Sequence, residues 1–415
     1  MRIAFFLHSF PEISETFILR QATGLMDLGH TVDIFADQRP APAPVHEEVE
    51  RYGLRERTRY LHAAAGRGVG ESLSSAAALL RHRGFVLRYL AHERAGLLRD
   101  LADLTRLKVI GILPPYDVVH CHFGDIAMRY RFAAAFWQAP LVASFYGFDS
   151  SSYPHAEGRR VYAPLFRAAA GVTALSQHMA ARLVELGCPA ERLHILHIGA
   201  DPERFRPAAT PSVDPSAPVR VLTVARLAEK KGIEYALRAV ALAAERRPEL
   251  RYEVIGDGPL RQPLATLADS LGLSGKVCFH SVQTEEFVQR AMQEADIFLL
   301  PSVTAANGDE EGTPTVLMEA SSCELPVVST LHSGIPEVVL DGATGFLVPE
   351  RDVTALADRL HRLLGNAELR HMLGAAGRRH IETHFDTRKL SRQLEELYHE
   401  VLGSGRALLA SELEA

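Results

Sequence analysis

The chain alternates short apolar runs with helical segments along nearly its whole length. In the first half, amphipathic stretches near residues 15–29, 127–138, 160–169 and 177–187 separate the apolar runs. These runs read RIAFFLHSF, TVDIFAD, DVVHCHF, PLVASFY, GVTALS and LHILHIG. Strands of a parallel sheet that is covered by helices on both faces are apolar throughout. The pattern therefore predicts an α/β fold built on a parallel sheet.

A stretch rich in proline, RPAATPSVDPSAP at residues 206–218, interrupts the alternation and is typical of a linker. The apolar runs then restart as VRVLTVA, RYEVIGDG, KVCFHS, DIFLLPS, PVVST and GFLVP. We therefore predict two Rossmann-like, doubly wound domains, 1–205 and 219–384, that face each other across a cleft. An amphipathic helix at about 385–403 is expected to pack back on the first domain. A ligand would bind outside the carboxyl ends of the strands, in the cleft.

The bulk composition excludes several classes of protein. A formal charge of -6 and a pI near 6.3 give no reason to expect nucleic-acid binding. The four cysteines have no paired spacing, so neither a zinc site nor a disulfide framework is indicated. The apolar run at the N-terminus is too short for a signal peptide, and no run reaches the ~18 residues of a membrane helix. A cytoplasmic location is expected.

Residues from about 45 to 110 depart from the alternation and are predicted to form a helical insertion in the first domain. This segment is rich in arginine, and its acidic residues are few. Its arginines include Arg67, Arg81, Arg83, Arg88, Arg94 and Arg99. A solvated helical surface and a surface that meets an anionic lipid, a membrane or a polyphosphate acceptor both fit this composition. Peripheral attachment to the inner face of a membrane is therefore one hypothesis.

The second domain opens with a strand followed by ARLAEKKG. Arg226 lies at the strand end, and Lys230 and Lys231 precede a helix in a chain that has only five lysines. Helix N-termini attract phosphate, so cations at this point would suit a diphosphate. A loop of solvated charges is the alternative. The turn VIGDGPLR, which contains Gly256, resembles a nucleotide-domain turn but is weak evidence alone.

The stretch EEGTPTVLMEA, residues 310–320, carries two carboxylates in unusual places. Glu311 stands just before a helix start, and Pro314 is expected at the first helical position. Glu319 would lie ~7.5 Å along the axis of that helix, inside an apolar run. A charged group there usually has a partner, such as the hydroxyls of a sugar. The alternatives are a favourable acid at a helix N-terminus for Glu311 and a surface residue for Glu319.

Polar residues also follow the strands of the first domain. His120 and His122 lie on one face of a strand and could line the cleft, be satisfied polar residues, or bind a metal, although no further ligands stand at motif spacing. Ser14, Glu15 and Thr16 would form the N-terminal turn of a helix, where plain capping is the alternative. The residues expected on the acceptor side are Ser14, Glu15, Thr16, His120, His122, Tyr146 and Asp149.

Together these motifs resemble glycosyltransferase family 4, a family of retaining enzymes with the GT-B fold. The most specific match is E-G-x-P followed by E-A, and the next is R-L-x-E-K-K-G after a strand. The stretches FPEISETFI, HCHFG and SFYGFD resemble the branch that builds bacterial exopolysaccharides, including colanic-acid-type enzymes. The resemblance covers nearly the whole chain and implies a GT-B fold.

The resemblance also implies roles for individual residues. Arg226 and Lys231 would hold the donor diphosphate, Glu311 would contact the transferred sugar, and Glu319 would hold the ribose hydroxyls. The implied catalytic residues are Glu311, Arg226, Lys231, His122 and Tyr146. The implied donor-binding residues are Arg226, Lys231, Gly256, Val282, Glu311, Gly312, Thr313, Pro314, Thr315, Val316 and Glu319. Many members have histidine where this chain has Tyr146, so whether Tyr146 takes that role is open.

The implied activity is transfer of a hexose from a nucleotide-diphosphate sugar, with UDP as the commonest nucleotide, to a hydroxyl of a glycan, glycolipid or small molecule. No metal and no cofactor are expected. Another GT-B enzyme, such as a nucleotide-sugar epimerase or a phosphorylase, is an alternative. A phosphorylase would need a pyridoxal lysine, for which Lys276 is the spare lysine in the second domain. A non-catalytic nucleotide-sugar scaffold is the third hypothesis.

Overall fold

The computed structural model describes residues 1–13, 15–40, 45–61, 76–92, 104–208 and 218–414, with side chains through 403. The described residues form two parallel β-sheets with helices on both faces. The strands of the first sheet are β1 Arg2–Ser9, β2 Thr31–Gln38, β3 Thr58–Tyr60, β4 Val118–His122, β5 Leu141–Ser144, β6 Gly171–Ala174 and β7 Leu193–Ile195. Those of the second are β8 Arg220–Val224, β9 Arg251–Ile255, β10 Val277–His280, β11 Ile297–Leu300, β12 Val327–Thr330 and β13 Gly345–Val348.

Helices lie between the strands along both halves of the chain. In the first half they are α1 Thr16–Asp27, α2 Glu47–Arg51, α3 Arg83–His92, α4 Leu107–Ile110, α5 Gly124–Trp137, α6 Ser152–Glu157, α7 Ala163–Ala168 and α8 Gln177–Glu185. In the second half they are α9 Ile233–Arg246, α10 Arg261–Ser270, α11 Glu285–Glu294, α12 Thr315–Ser322, α13 Ile335–Val338, α14 Val353–Leu364, α15 Ala367–His384 and α16 Thr387–Glu414. One-turn 3₁₀ helices lie at Ala190–Arg192 and Glu229–Lys231.

The strand order shows where each sheet reverses direction. The first sheet has the order β3-β2-β1-β4-β5-β6-β7, and the second has β10-β9-β8-β11-β12-β13. The order reverses between β1 and β4 in the first sheet and between β8 and β11 in the second. A crevice forms at such a switch point, outside the carboxyl ends of the strands. The motifs that follow β8 and β11 therefore lie at the ligand-binding edge of the second sheet.

The predicted α/β fold and all of the predicted strands are confirmed. The strand β3, which pairs with β2 at Thr58–Tyr60, was not predicted because three half-exposed residues give no apolar run. The helix expected at 127–138 begins earlier, at Gly124, where its first N–H donates to the Asp149 carboxylate at 3.0 Å. Asp149 belongs to another loop, so the residues around Gly124 give no sign in the sequence that the helix begins there.

The C-terminal helix α16 contacts the first sheet and its helices. His30 Nε2 lies 2.7 Å from Glu395 Oε1, and the Tyr398 hydroxyl lies 2.6 Å from His120 Nδ1. Gly24 on α1 packs so closely on Ser391 that a Cβ at residue 24 would collide with the hydroxyl. The two halves of the chain are thus joined both by the segment near residue 208 and by α16.

Two predicted segments are described only in part. Residues 62–75 and 93–103 of the predicted insertion, with Arg67, Arg94 and Arg99, lie outside the described residues. So do residues 209–217 of the predicted linker. The domain limits themselves stay a prediction.

Candidate active site

The cations predicted to hold a diphosphate lie at the carboxyl end of β8. Arg226 is exposed, and no carboxylate of the described residues lies within ion-pair distance of it. Lys230 and Lys231 sit on a single 3₁₀ turn that ends at Gly232, whose φ of 66° glycine adopts without strain. A Cβ at Gly232 would also collide with the Pro301 carbonyl. The turn therefore packs directly against the loop that follows β11.

Glu311 lies in that second loop and pairs with both lysines. Its Oε2 is 2.6 Å from Lys231 Nζ, and its Oε1 is 3.7 Å from Lys230 Nζ. Burial alone would raise the pKa of the Glu311 carboxyl, but Lys231 and Lys230 hold it below its ordinary value. Lys230 is also 3.1 Å from Asp309. The carboxylate is thus charged at neutral pH and joined to the cation predicted to hold a diphosphate.

Two buried oxygens at this point have no hydrogen-bond partner within the described part of the chain. They are Glu311 Oε1 and Thr313 Oγ1, and both residues are only 6% exposed. Buried polar atoms are nearly always hydrogen-bonded, and one that is not needs an explanation. A hydroxyl-rich ligand beside Glu311 would supply donors for both oxygens.

The backbone of the two halves of the chain meets at Gly312. A Cβ there would collide with the Tyr146 carbonyl, and a Cβ at Gly147 would lie 3.0 Å from the Gly312 nitrogen and the Glu310 oxygen. The expectation that Pro314 opens the helix is wrong, because α12 begins at Thr315 and Pro314 is extended, with φ -65° and ψ 114°. Pro314 therefore precedes the helix as its N-cap residue and is not its first helical residue.

Glu319 lies in α12, where it is 9% exposed. Burial raises the pKa of this carboxyl to about 7, although Arg20 opposes the shift. Arg20 comes from α1 in the first half, and its Nη2 is 3.6 Å from Glu319 Oε1. The other terminal nitrogen of Arg20 is buried without a partner among the described residues. Glu319 therefore has one distant cation and keeps hydrogen-bonding capacity.

A wider ion cluster surrounds Glu319 and joins the two halves. Glu285 at the start of α11 pairs with Arg204 and lies 3.9 Å from Arg20. His46, ahead of α2, lies 3.0 Å from the same carboxylate. Hydrogen bonding to His46 and the neighbouring arginines keep the pKa of the Glu285 carboxyl below its ordinary value, despite burial. The cluster holds the first half of the chain against the end of the second sheet.

His120 and His122 are fully buried beneath the site rather than exposed in it. Both ring nitrogens of His120 are hydrogen-bonded, to Tyr398 at 2.6 Å and to Ser144 at 2.7 Å. His120 thus matches the alternative of a polar residue whose hydrogen bonds are satisfied within the protein. His122 Nδ1 lies 2.7 Å from the Tyr146 hydroxyl. Burial lowers the pKa of His120 to about 3 and that of His122 well below its ordinary value. Both rings are therefore neutral.

These bonds bear on the open question about Tyr146. Its side chain is 9% exposed, and its hydroxyl is bonded to the buried His122. Burial raises the pKa of that hydroxyl far above its ordinary value. Tyr146 thus presents its backbone carbonyl to Gly312, while its phenol is held inside the first sheet.

The remaining acceptor-side residues differ in their surroundings. Asp149 is fully buried, and its carboxylate accepts the backbone N–H groups of Tyr146, Gly147 and Gly124, so it braces the loop after β5. Glu15 precedes α1, which begins at Thr16, and makes no side-chain capping bond. Burial, helped by Glu12, raises the pKa of the Glu15 carboxyl to about 7. Ser14 lies outside the described residues.

The other predicted donor-side residues lie around this edge of the second sheet. Gly256 has φ 138° and approaches the Ala225 carbonyl so closely that no Cβ would fit. Val282 is 52% exposed just beyond β10. Thr315 and Val316 form the half-buried first turn of α12. The structure therefore joins Lys231 to Glu311 and places Gly256 against Ala225, next to Arg226, whereas most of the predicted residues of the first half are buried.

Some residues at the site were not predicted from sequence. Arg20 is one arginine of an amphipathic helix and reaches Glu319 only through the contact of the two halves. Glu310 is ion-paired at 2.7 Å with Arg182, which lines a cavity of about 330 Å³ in the first half. That cavity is lined mainly by Ser150, Ser151, His155, Arg159, His178 and Arg182. No spacing rule connects residues so far apart in sequence.

Within the described ranges, no cluster of three or more His, Cys, Asp or Glu side chains is arranged to hold a metal ion. In the same ranges, no helix combines the length and the apolar character that crossing a bilayer requires.

Two family models match the sequence and together cover most of the chain. The family described as Glycosyltransferase Family 4 matches residues 14–204, and that described as Glycosyl transferases group 1 matches residues 211–380. The boundary between the two matches falls at the proline-rich stretch.

The chain is also similar to curated proteins over their full length. It is 36% identical to the putative colanic acid biosynthesis glycosyltransferase WcaL of Escherichia coli K12, covering 96% of this chain and 99% of the relative. It is 34% identical to the amylovoran biosynthesis glycosyltransferase AmsK of Erwinia amylovora, with the same coverage.

Solved structures share the fold at low sequence identity. HepE of Anabaena, in complex with UDP and glucose, aligns with a TM-score of 0.70 at 18% identity, over 96% of this chain and all of that one. Sucrose-phosphate synthase from Thermosynechococcus elongatus aligns with a TM-score of 0.70 at 18% identity, over 97% of this chain and all of that one. The sequence motifs, the two sheets and the full-length relatives agree. The chain belongs to glycosyltransferase family 4 and has the GT-B fold.

Proposed function

We propose that the protein transfers a hexose from a UDP-sugar to a hydroxyl of a glycan or lipid-linked acceptor, with retention of configuration, in bacterial exopolysaccharide assembly. The observation that carries the proposal is the Lys231–Glu311 pair, in which the second oxygen of the buried carboxylate accepts no hydrogen bond from the described residues, although Lys230 lies 3.7 Å away. The names of WcaL and AmsK support the pathway. The complexes of HepE with UDP and with UDP-glucose support the donor.

Charge neutralisation is the chemical requirement that these residues meet. Departure of a nucleotide diphosphate develops negative charge on its phosphate oxygens, and preorganised cations stabilise that charge. Arg226 is exposed and unpaired within the described chain, and Lys231 lies at the same strand end. The N-terminus of α12 adds a positive dipole end. We therefore propose that transfer needs neither a metal ion nor another cofactor.

The two carboxylates would then act as two contacts to one donor. Glu311 is charged, and its Oε1 accepts no hydrogen bond from the described residues, so it would accept hydrogen bonds from the transferred sugar. Glu319, whose pKa is raised to about 7 by burial, would accept those of the ribose hydroxyls in an apolar surrounding. The proposal requires no general acid and base pair, so neither carboxylate is assigned a proton transfer. Donor and acceptor would react on the same face of the sugar.

Donor binding tests this proposal directly. UDP should raise the Tm of the wild-type protein more than GDP, ADP or TDP, because a ligand that binds only the folded state stabilises it. Lys231→Ala should weaken UDP binding by about 10- to 100-fold, since a charge-assisted contact is lost. Lys276→Ala is the matched control, because Lys276 bonds the Pro248 carbonyl before β10, at the opposite sheet edge.

Three outcomes would contradict parts of the proposal. Unchanged UDP affinity in Lys231→Ala would remove the diphosphate assignment. Loss of activity on adding EDTA would show that transfer needs a metal ion. A stronger shift with GDP than with UDP would move the donor to the nucleotide used by the GDP-mannose-dependent mannosyltransferase of Mycolicibacterium smegmatis, to which the chain is 31% identical over 75% of its length.

The geometry disfavours the phosphorylase alternative. Lys276 Nζ donates to the Pro248 carbonyl at the surface, just before β10 begins. It therefore lies at the amino end of the strands, whereas ligands of this fold bind at the carboxyl ends. A pyridoxal lysine would have to face the cleft.

We also propose that the insertion attaches the protein to an anionic membrane surface. Leu80, Leu87 and Ile112 are 66–69% exposed, and Leu80 and Leu87 are seven residues apart in a helical stretch. Helical hydrogen bonds run through His82 between them, so the two leucines lie on the same side. Exposed arginines at 81, 83 and 88 flank them. Exposed leucine beside arginine is the composition of an interfacial helix.

Vesicle co-sedimentation checks this surface. The wild type should sediment with phosphatidylglycerol vesicles at low salt and much less with phosphatidylcholine vesicles. The double variant Leu80→Ser/Leu87→Ser should lose about 10-fold or more of that binding, because the buried apolar area is removed. Leu242→Ser, which changes a 40% exposed leucine of the second half, is the control. If Leu80→Ser/Leu87→Ser bound the vesicles as well as Leu242→Ser does, the insertion would be a solvated surface and the proposed membrane contact would be wrong.

A further inference from the structure

The turn that follows β12 holds the backbone on both sides of the Glu311–Gly312 peptide. The Glu311 N–H donates to His332 Nε2 at 3.1 Å. The Gly312 carbonyl accepts from the Ser333 hydroxyl at 3.1 Å and from the Gly334 N–H at 3.3 Å. One turn therefore sets the position from which the Glu311 side chain reaches the site.

The bonds of His332 determine where its proton lies. His332 is 2% exposed, and its Nε2 faces a backbone N–H, which can only donate. Nε2 must then be unprotonated and act as the acceptor. Nδ1 lies 2.6 Å from Glu350 Oε1 and carries the proton that it donates to the carboxylate. The geometry thus requires the neutral Nδ1–H tautomer of His332.

Glu350 is itself fixed by the loop that carries Glu311. Its carboxylate accepts the Thr304 N–H at 2.9 Å and the Thr304 hydroxyl at 3.1 Å, and it pairs with Arg351 at 3.0 Å. Burial alone would raise the pKa of the Glu350 carboxyl, but the bonds from Thr304 and His332 keep it below its ordinary value. Glu350 therefore stays charged and links the start of the loop after β11 to the turn after β12.

We propose that His332 is a positioning residue for Glu311 and that Glu350 selects the tautomer that makes this possible. The inference rests on the proposed contact of Glu311 with the transferred sugar. His332 touches no reacting atom in this scheme. It acts through the Glu311 N–H, so that the carboxylate meets the sugar in one geometry. Small misplacement of such a group lowers turnover more than binding.

Two variants separate the two bonds of His332. His332→Gln can place an amide oxygen near the position of Nε2 and still accept from the Glu311 N–H. His332→Asn can place an amide N–H near Nδ1, so it keeps the bond to Glu350 and loses the one to Glu311. We expect His332→Asn to lower kcat about 10- to 100-fold, while KM and UDP affinity change less than about threefold. We expect His332→Gln to lower kcat far less.

The assay uses release of nucleotide from whichever UDP- or GDP-sugar the wild type consumes fastest. His30→Asn is the matched control, because His30 lies 2.7 Å from Glu395 before β2, away from the carboxyl ends of the strands. It should change stability without changing kcat. Equal kcat in His332→Asn and wild type, or equal losses in His332→Asn and His332→Gln, would overturn the positioning role.

Histidine nitrogen NMR tests the tautomer without any activity. The signals of His332, assigned by their loss in His332→Asn, should show a protonated Nδ1 and an unprotonated Nε2, and Glu350→Gln should weaken that preference. A protonated Nε2 in the wild type would overturn the inference. If the wild type consumes no nucleotide sugar while the tautomer is as expected, the proposed function fails and the structural relation of His332 to Glu311 stands.

Discussion

Glu311→Gln is expected to abolish detectable transfer, a loss of at least about 10³-fold in kcat, while UDP still binds. The amide keeps the size of the side chain and removes the charge that would face the sugar. In the structure the Glu311 carboxylate lies 2.6 Å from Lys231, the group proposed to hold the diphosphate. Removing that charge frees the lysine for phosphate, so UDP affinity should stay equal or increase.

The measurement is kcat from nucleotide release beside the Kd of UDP from calorimetry. Glu310→Gln is the matched control, because Glu310 is the preceding residue and pairs with Arg182 and His178 instead of the lysines. Its loss of kcat should be much smaller. If Glu311→Gln lost UDP binding and turnover equally, Glu311 would belong to the diphosphate site and not to the sugar site. Near-normal turnover would remove it from the mechanism.

Gly312→Ala is expected to lower kcat by about 100-fold or more, through the contact between the two halves of the chain. The added Cβ would collide with the Tyr146 carbonyl, which is backbone and cannot rotate away. The side chain of Leu175 would also lie 3.0 Å from it. The first half would have to withdraw from residues 310–312, and the Arg182–Glu310 pair would lengthen with it.

The effect on folding should be smaller than the effect on turnover. Crowding at one contact costs on the order of 1–3 kcal/mol, and a cleft can open to relieve it, unlike a core. Circular dichroism should therefore show a folded protein whose kcat has fallen. Gly403→Ala is the control, because nothing lies within 4 Å of a Cβ placed there. Normal turnover in Gly312→Ala would show that the close contact is dispensable.

Local patterns in the sequence were sufficient for the fold, and they also indicated the candidate donor-side residues of the second half. Buried parallel strands are apolar throughout, so every strand that faces two layers of helices was visible as a run. Arg226, Lys231, Glu311 and Glu319 lie within short segments that directly follow strands, and the carboxyl ends of those strands share one edge. Sequence order and sheet topology therefore bring them together without further information.

Contacts between distant segments could not be predicted in this way. His120, His122 and Asp149 were expected on the acceptor side, but their bonds to Tyr398, Tyr146 and Gly124 hold them inside the first half. Pro314 was expected to open α12, but the helix begins one residue later, at Thr315, and Gly312 ahead of it packs against the Tyr146 carbonyl. Each of these contacts involves a partner residue from another segment, which a local sequence pattern cannot identify.

The sequence by itself determined the two parallel sheets and the family, and it indicated the candidate donor-side residues, because strand periodicity and loop position are local properties. Only the tertiary structure decided which of these groups pair and which buried oxygens lack a hydrogen bond. It joined Glu311 to Lys231, placed Arg20 beside Glu319, and set His332 between Glu350 and the Glu311 N–H. These relations arise from packing between segments that are far apart in the chain. The charge and hydrogen bonding of each group there depend on the residue of the other segment that it contacts.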